Sequence, residues 1–251
     1  MPSHIQCFFK AYLQGKFTGG LILDRTVEEI LKILNINKEL PFPDLFIVAI
    51  THSSYANENR VESYERLEFL GDALVGLVIA HNAFELFKDI NEGELAKIKA
   101  IVGSAKVLSE VSKEIGLSKF VLVGKSLSSA SEGELDSIYA DTFESVMAAV
   151  FLNLGFDEAE DMISRFLNEK ILEVVEKKLF FDYKTALQEY TQSKFMNLPE
   201  YVLIEESGPP HRRNYVFEVR INGEVYGKGY GRSKKEAEQV AAKMAYERLK
   251  E

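Results

Sequence analysis

Cysteine is nearly absent. Cys7 is the one such residue in 251, so no internal disulfide can form, and the count favours a reducing, cytoplasmic compartment. Histidine is scarce as well, and His4, His52, His81 and His211 are too scattered for a zinc site or a catalytic triad. No apolar run approaches the roughly 18 to 20 residues of a membrane-spanning helix, so a soluble chain with no membrane partner is expected. Neither end carries a targeting pattern: Phe8 and Phe9 are broken at once by Lys10 and followed by Gly15, Gly19 and Gly20, with no small-residue cleavage signature. A nucleotide-binding motif is missing too. Gly227-Lys228-Gly229-Tyr230-Gly231 precedes a helical pattern but has neither GxGxxG spacing nor a Walker ending, so strand and turn glycines suffice and no nucleotide cofactor is expected.

What is present is an ordinary globular composition, 46% apolar and 27% charged, long enough for one large domain or two unequal ones. Thirty Lys and Arg stand against 39 Asp and Glu, a formal charge of −9, which argues against a protein that coats nucleic acid by bulk electrostatics. The charge is uneven. Residues 182–251 hold 12 basic against 11 acidic residues, a net of +1, so the longer N-terminal part carries −10.

From Leu21 to Lys178 apolar residues recur at helical spacing, which predicts helices over 27–34, 43–50, 63–87, 91–103, 104–115, 135–154 and 156–178. The stretch 125–133, with Ser126, Ser128, Ser129 and Ser131, reads as an exposed loop. After Lys178 the pattern changes to a helix over 182–194, alternating strands over 201–206, 214–221 and 224–229, and a last helix opened by Ser233 and Glu236 as a capping box. Asn222-Gly223 is the preferred pair for a type I′ hairpin turn. The order is αβββα, and a boundary near 180–182 divides the chain into 1–180, all-α, and 181–251, a small α+β domain.

Within Tyr64-Glu65-Arg66-Leu67-Glu68-Phe69-Leu70-Gly71-Asp72, helical rotation gathers Glu65, Glu68 and Asp72 in one narrow sector with Gly76 a turn further on. Leu67, Leu70, Leu74, Leu77 and Val78 lie opposite as a core face. Asp141 and Glu144, followed by Ala148, repeat the design on a second helix. Small residues at 76 and 148 would let the two helices approach, bringing Glu68, Asp72, Asp141 and Glu144 around one space. Four like charges need neutralising, and hard oxygen donors suit a divalent cation, Mg²⁺ foremost because it keeps several waters. Between Ala140 and Leu152, Asp141 and Glu144 are the only charges, which implies burial. Arg66, Lys97 or Lys99 could supply the counter-charge in place of a metal.

These residues carry a resemblance. Glu65 to Asp72 resembles the signature of ribonuclease III, and Ala140-Asp141-Thr142-Phe143-Glu144 is similar to that family's second acidic motif, with order and separation in agreement. The trailing αβββα segment resembles a double-stranded RNA-binding domain, so the resemblance runs from about residue 25 to the end. Tyr64 departs from it, standing where an Asn often precedes the signature, and an N-terminal extension of about 20 residues has no explanation. The resemblance implies an all-helical, homodimeric endonuclease domain using Mg²⁺, with Mn²⁺ as a substitute. It implies hydrolysis of double-stranded RNA to 5′-phosphate and 3′-hydroxyl ends with a short 3′ overhang, in processing and decay of rRNA and mRNA precursors. Glu68, Asp72, Asp141 and Glu144 match the metal ligands, and Glu65 and Glu92 match two further acids near the dimer interface and cleavage site.

In the C-terminal segment the resemblance places Thr185, Gln188, Glu189 and Gln192 on one helix stripe facing ribose hydroxyls, and His211 in the loop after Gly208 that enters a minor groove. Lys234 and Lys235 would grip phosphates. Two cations in a first helical turn oppose the helix dipole unless an anion binds there. Alternatives from other classes are a catalytically silent duplex-RNA-binding protein, whose acids pair with lysines or arginines, and an acidic helical scaffold using its C-terminal module for protein contacts.

Overall fold

The computed structural model describes residues 20–127, 129–209 and 212–250. Cys7, Phe8, Phe9, Ser128 and His211 lie outside the described residues. The chain divides into two compact units, Met1–Phe180 and Phe181–Glu251.

The described residues of the first unit are helical: α1 (Gly20–Leu34), α2 (Leu45–Ala49), α3 (Ser53–Asn59), α4 (Glu65–Leu86), α5 (Glu92–Val102), α6 (Ala105–Glu114), α7 (Glu132–Leu154) and α8 (Phe156–Glu176). Two short 3₁₀ turns, Leu117–Phe120 and Lys125–Leu127, join α6 to α7. α7 is the axis of the unit. Ala140, Phe143, Val146, Met147, Ala148, Ala149 and Val150 are all buried, as befits a helix apolar on every side, and α2, α4, α6 and α8 pack around it. The helix starts three residues before the predicted 135. Ser131 Oγ accepts the Glu134 N–H at 3.4 Å while the Glu134 carboxylate accepts the Ser131 N–H at 2.8 Å, a capping box inside the stretch expected to be loop.

α3 has no counterpart among the predicted helices, because only Ala56 of its residues is buried and no apolar period marks it. It is defined by its ends. His52 Nδ1 accepts the Ser54 N–H at 3.1 Å, and Arg60 closes the helix in the left-handed region at φ +56°.

α4 is the one described helix long and apolar enough in composition to cross a membrane, although no single unbroken run in it signals that. Its inner side, Leu67, Leu74, Val75, Val78 and Ile79, is buried in the helical core. The expected core face needs one correction: Leu77 is 55% exposed and lies with Phe69 (82%) and Phe84 (59%) on the outer side. The apolar excess thus covers two faces.

The closest approach of α4 to α7 also falls elsewhere than expected. A Cβ on Gly76 would meet nothing within 4 Å, whereas one on Gly71 would stand 2.1 Å from the carbonyl oxygen of Glu144. Gly71 therefore sets the contact, backbone against backbone, and Gly76 does not.

The second unit is α9 (Tyr183–Phe195), β1 (Glu200–Ser207), β2 (Asn214–Ile221), β3 (Glu224–Gly231) and α10 (Lys234–Lys250), with an antiparallel sheet of order β1-β2-β3. Asn222 and Gly223 both take positive φ, +53° and +83°, as the type I′ turn requires. α10 lies directly on β3. Cβ atoms on Gly227, Gly229 and Gly231 would fall within 2.1 to 2.5 Å of backbone atoms of Ala241 or Ala237. A two-residue step along a strand, about 6.6 Å, nearly matches a four-residue step along a helix, about 6 Å, so glycine every second residue meets alanine every fourth. At the start of α10, Ser233 Oγ accepts the Glu236 N–H at 3.1 Å, but the Glu236 carboxylate accepts from the Arg232 N–H at 2.7 Å instead of completing the box on Ser233.

Gly71→Ala is expected to destabilise the helical unit by about 3 kcal/mol, the upper end for overpacking, because the clash is with main chain that cannot turn aside. Gly76→Ala should instead be neutral or stabilising by up to about 1 kcal/mol, since helix propensity is gained without a clash. Thermal melts of both variants check this, and a Gly71→Ala midpoint equal to the parent's would contradict the contact.

Candidate nuclease site

The Gly71 contact fixes where the acids lie. Glu68 sits one turn before Gly71 on α4 and Asp72 follows it directly, while Glu144, whose backbone Gly71 touches, lies one turn after Asp141 on α7. Two buried hydroxyls bind the α7 main chain on either side: Thr142 Oγ1 donates to the Ile138 carbonyl at 2.7 Å and Ser145 Oγ to the Asp141 carbonyl at 2.6 Å. Both spend polar groups locally, leaving the carboxylates as the polar groups directed at α4.

The electrostatics show that the four acids share one field. Burial pushes the Glu144 carboxyl up from the usual 4.5 to about 8, helped by the charges of Asp72, Asp141 and Glu68, and every influence on it has the same sign. Glu68 is raised by burial and then by Asp141, Glu65 and Asp72. Asp141 is raised by burial and partly relieved by a hydrogen bond from the Tyr64 hydroxyl, 3.2 Å, and by His52. Arg66, Lys97 and Lys99 do not figure among these influences. Lys99 does line a cavity of about 530 Å³ together with Asp72, Gly76 and Glu144. Among the described residues no three Asp, Glu, His or Cys side chains stand at ready-made ligand spacing. Glu68, Asp141 and Glu144 are half-buried and Asp72 is exposed, so the acids line an open cleft and not a closed cage.

The auxiliary acids separate. Glu65 is exposed, accepts from Ser63 Oγ at 2.8 Å and belongs to the field felt by Glu68. Glu92 opens α5 on an adjoining groove of about 930 Å³, which shares Leu77, Ala80 and Lys99 with the cavity of Asp72 and Glu144, but it does not figure among the charges acting on Glu68, Asp141 or Glu144. His52 and Tyr64 were passed over as chemistry by the sequence reading. They reach Asp141 only through the fold, Tyr64 from 77 residues away, and no local pattern signals it.

In the second unit Thr185, Gln188, Glu189 and Gln192 are all exposed on α9, although Thr185 Oγ1 also donates to the capping Asp182 at 3.0 Å. Lys234 and Lys235 are exposed at the N-terminus of α10, and Lys234 Nζ lies 5.8 Å from the centre of the Tyr215 ring. Arg212, beside the undescribed His211, is an exposed cation that the sequence reading did not single out.

Comparison with known proteins agrees with both halves. Residues 43–194 match the family model "Ribonuclease-III-like" and residues 183–249 match "Double-stranded RNA binding motif". The chain is 41% identical over 214 residues to ribonuclease 3 of Pseudothermotoga lettingae, covering 83% of this chain and 90% of that one. Against ribonuclease 3 of Clostridium perfringens identity is 41% over 229 residues, with 91% and 96% covered. The first unit is also similar to the solved nuclease domain of Campylobacter jejuni ribonuclease III, in which a region is involved in dimer formation. That similarity has a TM-score of 0.51 at 28% identity, covering 57% of this chain and 96% of that domain.

The Glu144 carboxyl gives a stability signature. Between the ordinary value of 4.5 and about 8 the folded protein holds a proton that the unfolded chain has released, so without a bound cation stability falls as pH rises through that window. Glu144→Gln should remove this loss and raise the melting midpoint in EDTA at pH 8 by about 2–4 °C, roughly 1 kcal/mol for a chain of this size, with the gain vanishing near pH 4. A midpoint that does not rise at pH 8 would show that the carboxyl is not held in this field.

Proposed function

Since the chain belongs to the ribonuclease III family and is an endoribonuclease of double-stranded RNA, we propose that Glu68, Asp72, Asp141 and Glu144 are its catalytic acids and hold the Mg²⁺ that hydrolysis uses. The observation that carries this reading is the Gly71 contact, which brings α4 against the backbone of Glu144, a half-buried carboxyl driven up to about 8 by burial and by the charges of Asp72, Asp141 and Glu68. The donor set fits the ion. Four carboxylates offer only hard oxygens, and an open cleft suits a cation that retains part of its water shell. Mn²⁺ fits the same donors.

Glu68, Asp72, Asp141 and Glu144 would hold the cation, which when bound would supply a water of lowered pKa and charge neutralisation at the scissile phosphate and leaving oxygen. The chain's own contribution is placement. α4 presents Glu68 and Asp72, α7 presents Asp141 and Glu144, and the main-chain contact keeps the two pairs in register without a side chain between them. In-line attack by water on phosphorus, with departure of the 3′ oxygen, leaves 5′-phosphate and 3′-hydroxyl ends. Glu65 adds negative charge at the edge of the cleft, and Glu92 acts from the groove that adjoins it across Leu77, Ala80 and Lys99.

We assign residues 1–180 to the nuclease domain and 181–251 to the duplex-binding domain. In the latter, Thr185, Gln188, Glu189 and Gln192 face riboses, His211 enters a minor groove, and Lys234 and Lys235 hold phosphates at a helix N-terminus. Pairing of two nuclease domains is supported by the outer apolar face of α4, where Phe69, Leu77 and Phe84 are more than half exposed. Two sites, one per subunit, would cut opposite strands and leave a short 3′ overhang. A cytoplasmic location accords with an RNA substrate and a chain holding one cysteine.

Asp141→Asn and Glu144→Gln are expected to lower the rate of Mg²⁺-dependent cleavage of a long RNA duplex by at least about 10²–10³-fold, a loss of several kcal/mol of charge stabilisation. Duplex binding in EDTA should stay near the parent's. Lys234→Ala with Lys235→Ala should do the reverse, weakening binding and reducing its log–log salt slope by about 1 to 2. Acid variants that cut at the parent rate would overturn the assignment.

A further inference from the structure

We propose that Tyr64 is a positioning residue of the cleavage site, fixing the Asp141 carboxylate through its hydroxyl while its main chain starts the helix that bears Glu68 and Asp72. The proposal rests on the reading of Asp141 as a metal ligand. Tyr64 touches both acid-bearing helices by separate bonds. Its carbonyl accepts the Leu67 N–H at 2.8 Å and the Glu68 N–H at 2.9 Å, the first turn of α4. Its hydroxyl donates to Asp141 Oδ2 on α7 at 3.2 Å.

The residue itself is held firmly. Only 2% exposed, it donates its own N–H to the Thr51 carbonyl at 2.9 Å, and Thr51 is anchored in turn by a 2.6 Å bond from its hydroxyl to the Ile47 carbonyl. The phenol ring meets the His52 ring edge-on, with centroids 5.6 Å apart and planes at 66°. His52 is fixed by its N–H to the Leu122 carbonyl at 3.0 Å and by its role as the cap of α3. A buried, immobile donor on one oxygen of a carboxylate selects its rotamer and leaves the other oxygen for a ligand, as outer partners of metal-binding side chains do. An aspartate without that donor would have to be ordered by the cation itself, which weakens binding.

The test is Tyr64→Phe in the full-length protein, which keeps the ring and removes the donor. Mn²⁺ titration followed by the electron paramagnetic resonance of the free ion should show a dissociation constant raised about 10-fold, within the range for loss of an outer-shell partner. The Mg²⁺ concentration for half-maximal cleavage should rise in proportion, with saturating Mg²⁺ restoring most of the rate, and duplex affinity in EDTA should be unchanged. An Mn²⁺ constant within twofold of the parent's overturns the proposal, whatever happens to the melting midpoint. Asp141→Asn, measured alongside, separates the two ideas. If it loses Mn²⁺ while Tyr64→Phe does not, only the role of Tyr64 fails; if it binds Mn²⁺ like the parent, the ligand reading fails and the positioning role falls with it.

Discussion

Everything the first unit does chemically depends on one main-chain contact. Two helices that each carry a pair of carboxylates repel one another, and side chains of ordinary size would keep their axes 8 to 10 Å apart. A glycine at position 71 removes that spacer and lets α4 rest on the backbone of Glu144. The energy to hold the acids together comes from elsewhere, from the apolar girdle of α7, whose buried Phe143, Val146, Met147 and Val150 have no chemistry of their own. The placement of the acids is a by-product of core packing on the opposite side of the same helix.

This arrangement carries a cost that its function explains. A half-buried carboxylate pushed up to about 8 is destabilising at neutral pH, and nothing in the fold of α4 or α7 requires it. Alanine or leucine at 144 would satisfy the core better. Retention of four acids in one cleft, with only Asp141 partly relieved by Tyr64 and His52, is intelligible where a dication completes the charge balance, so stability and activity are expected to respond in opposite directions to substitution at 144.

Much of this was legible in the sequence, and the failures have physical causes. The acid pairs showed through helical spacing, and the αβββα order through the switch from a 3.6-residue to a two-residue period with Asn222-Gly223 between strands. Gly71 was missed in favour of Gly76 because rotation about one helix says which residues share a face but not where a second helix crosses it. α3 was missed because its order comes from His52 and Arg60 at its ends and not from an apolar stripe. The start of α7 was placed late because serines suggest loop until the one that caps is identified. Tyr64 and Asp141 are joined by tertiary structure alone, and the outer side of α4 is not told from the inner one by composition because both carry large apolar side chains.

The glycine ladder of β3 has a mechanical consequence. Ordinary helix-on-sheet packing is cushioned by branched side chains that can change rotamer, so the two layers slide and rock by small amounts. Where alanine meets bare strand backbone at Gly227, Gly229 and Gly231 that cushion is gone, and α10 is seated on the sheet like a bar on notches. The main chain at Lys234 and Lys235, where α10 begins, is then held at a set distance from the strand ends. Whatever meets this domain meets a frame whose spacing is set by backbone and not by rotamers.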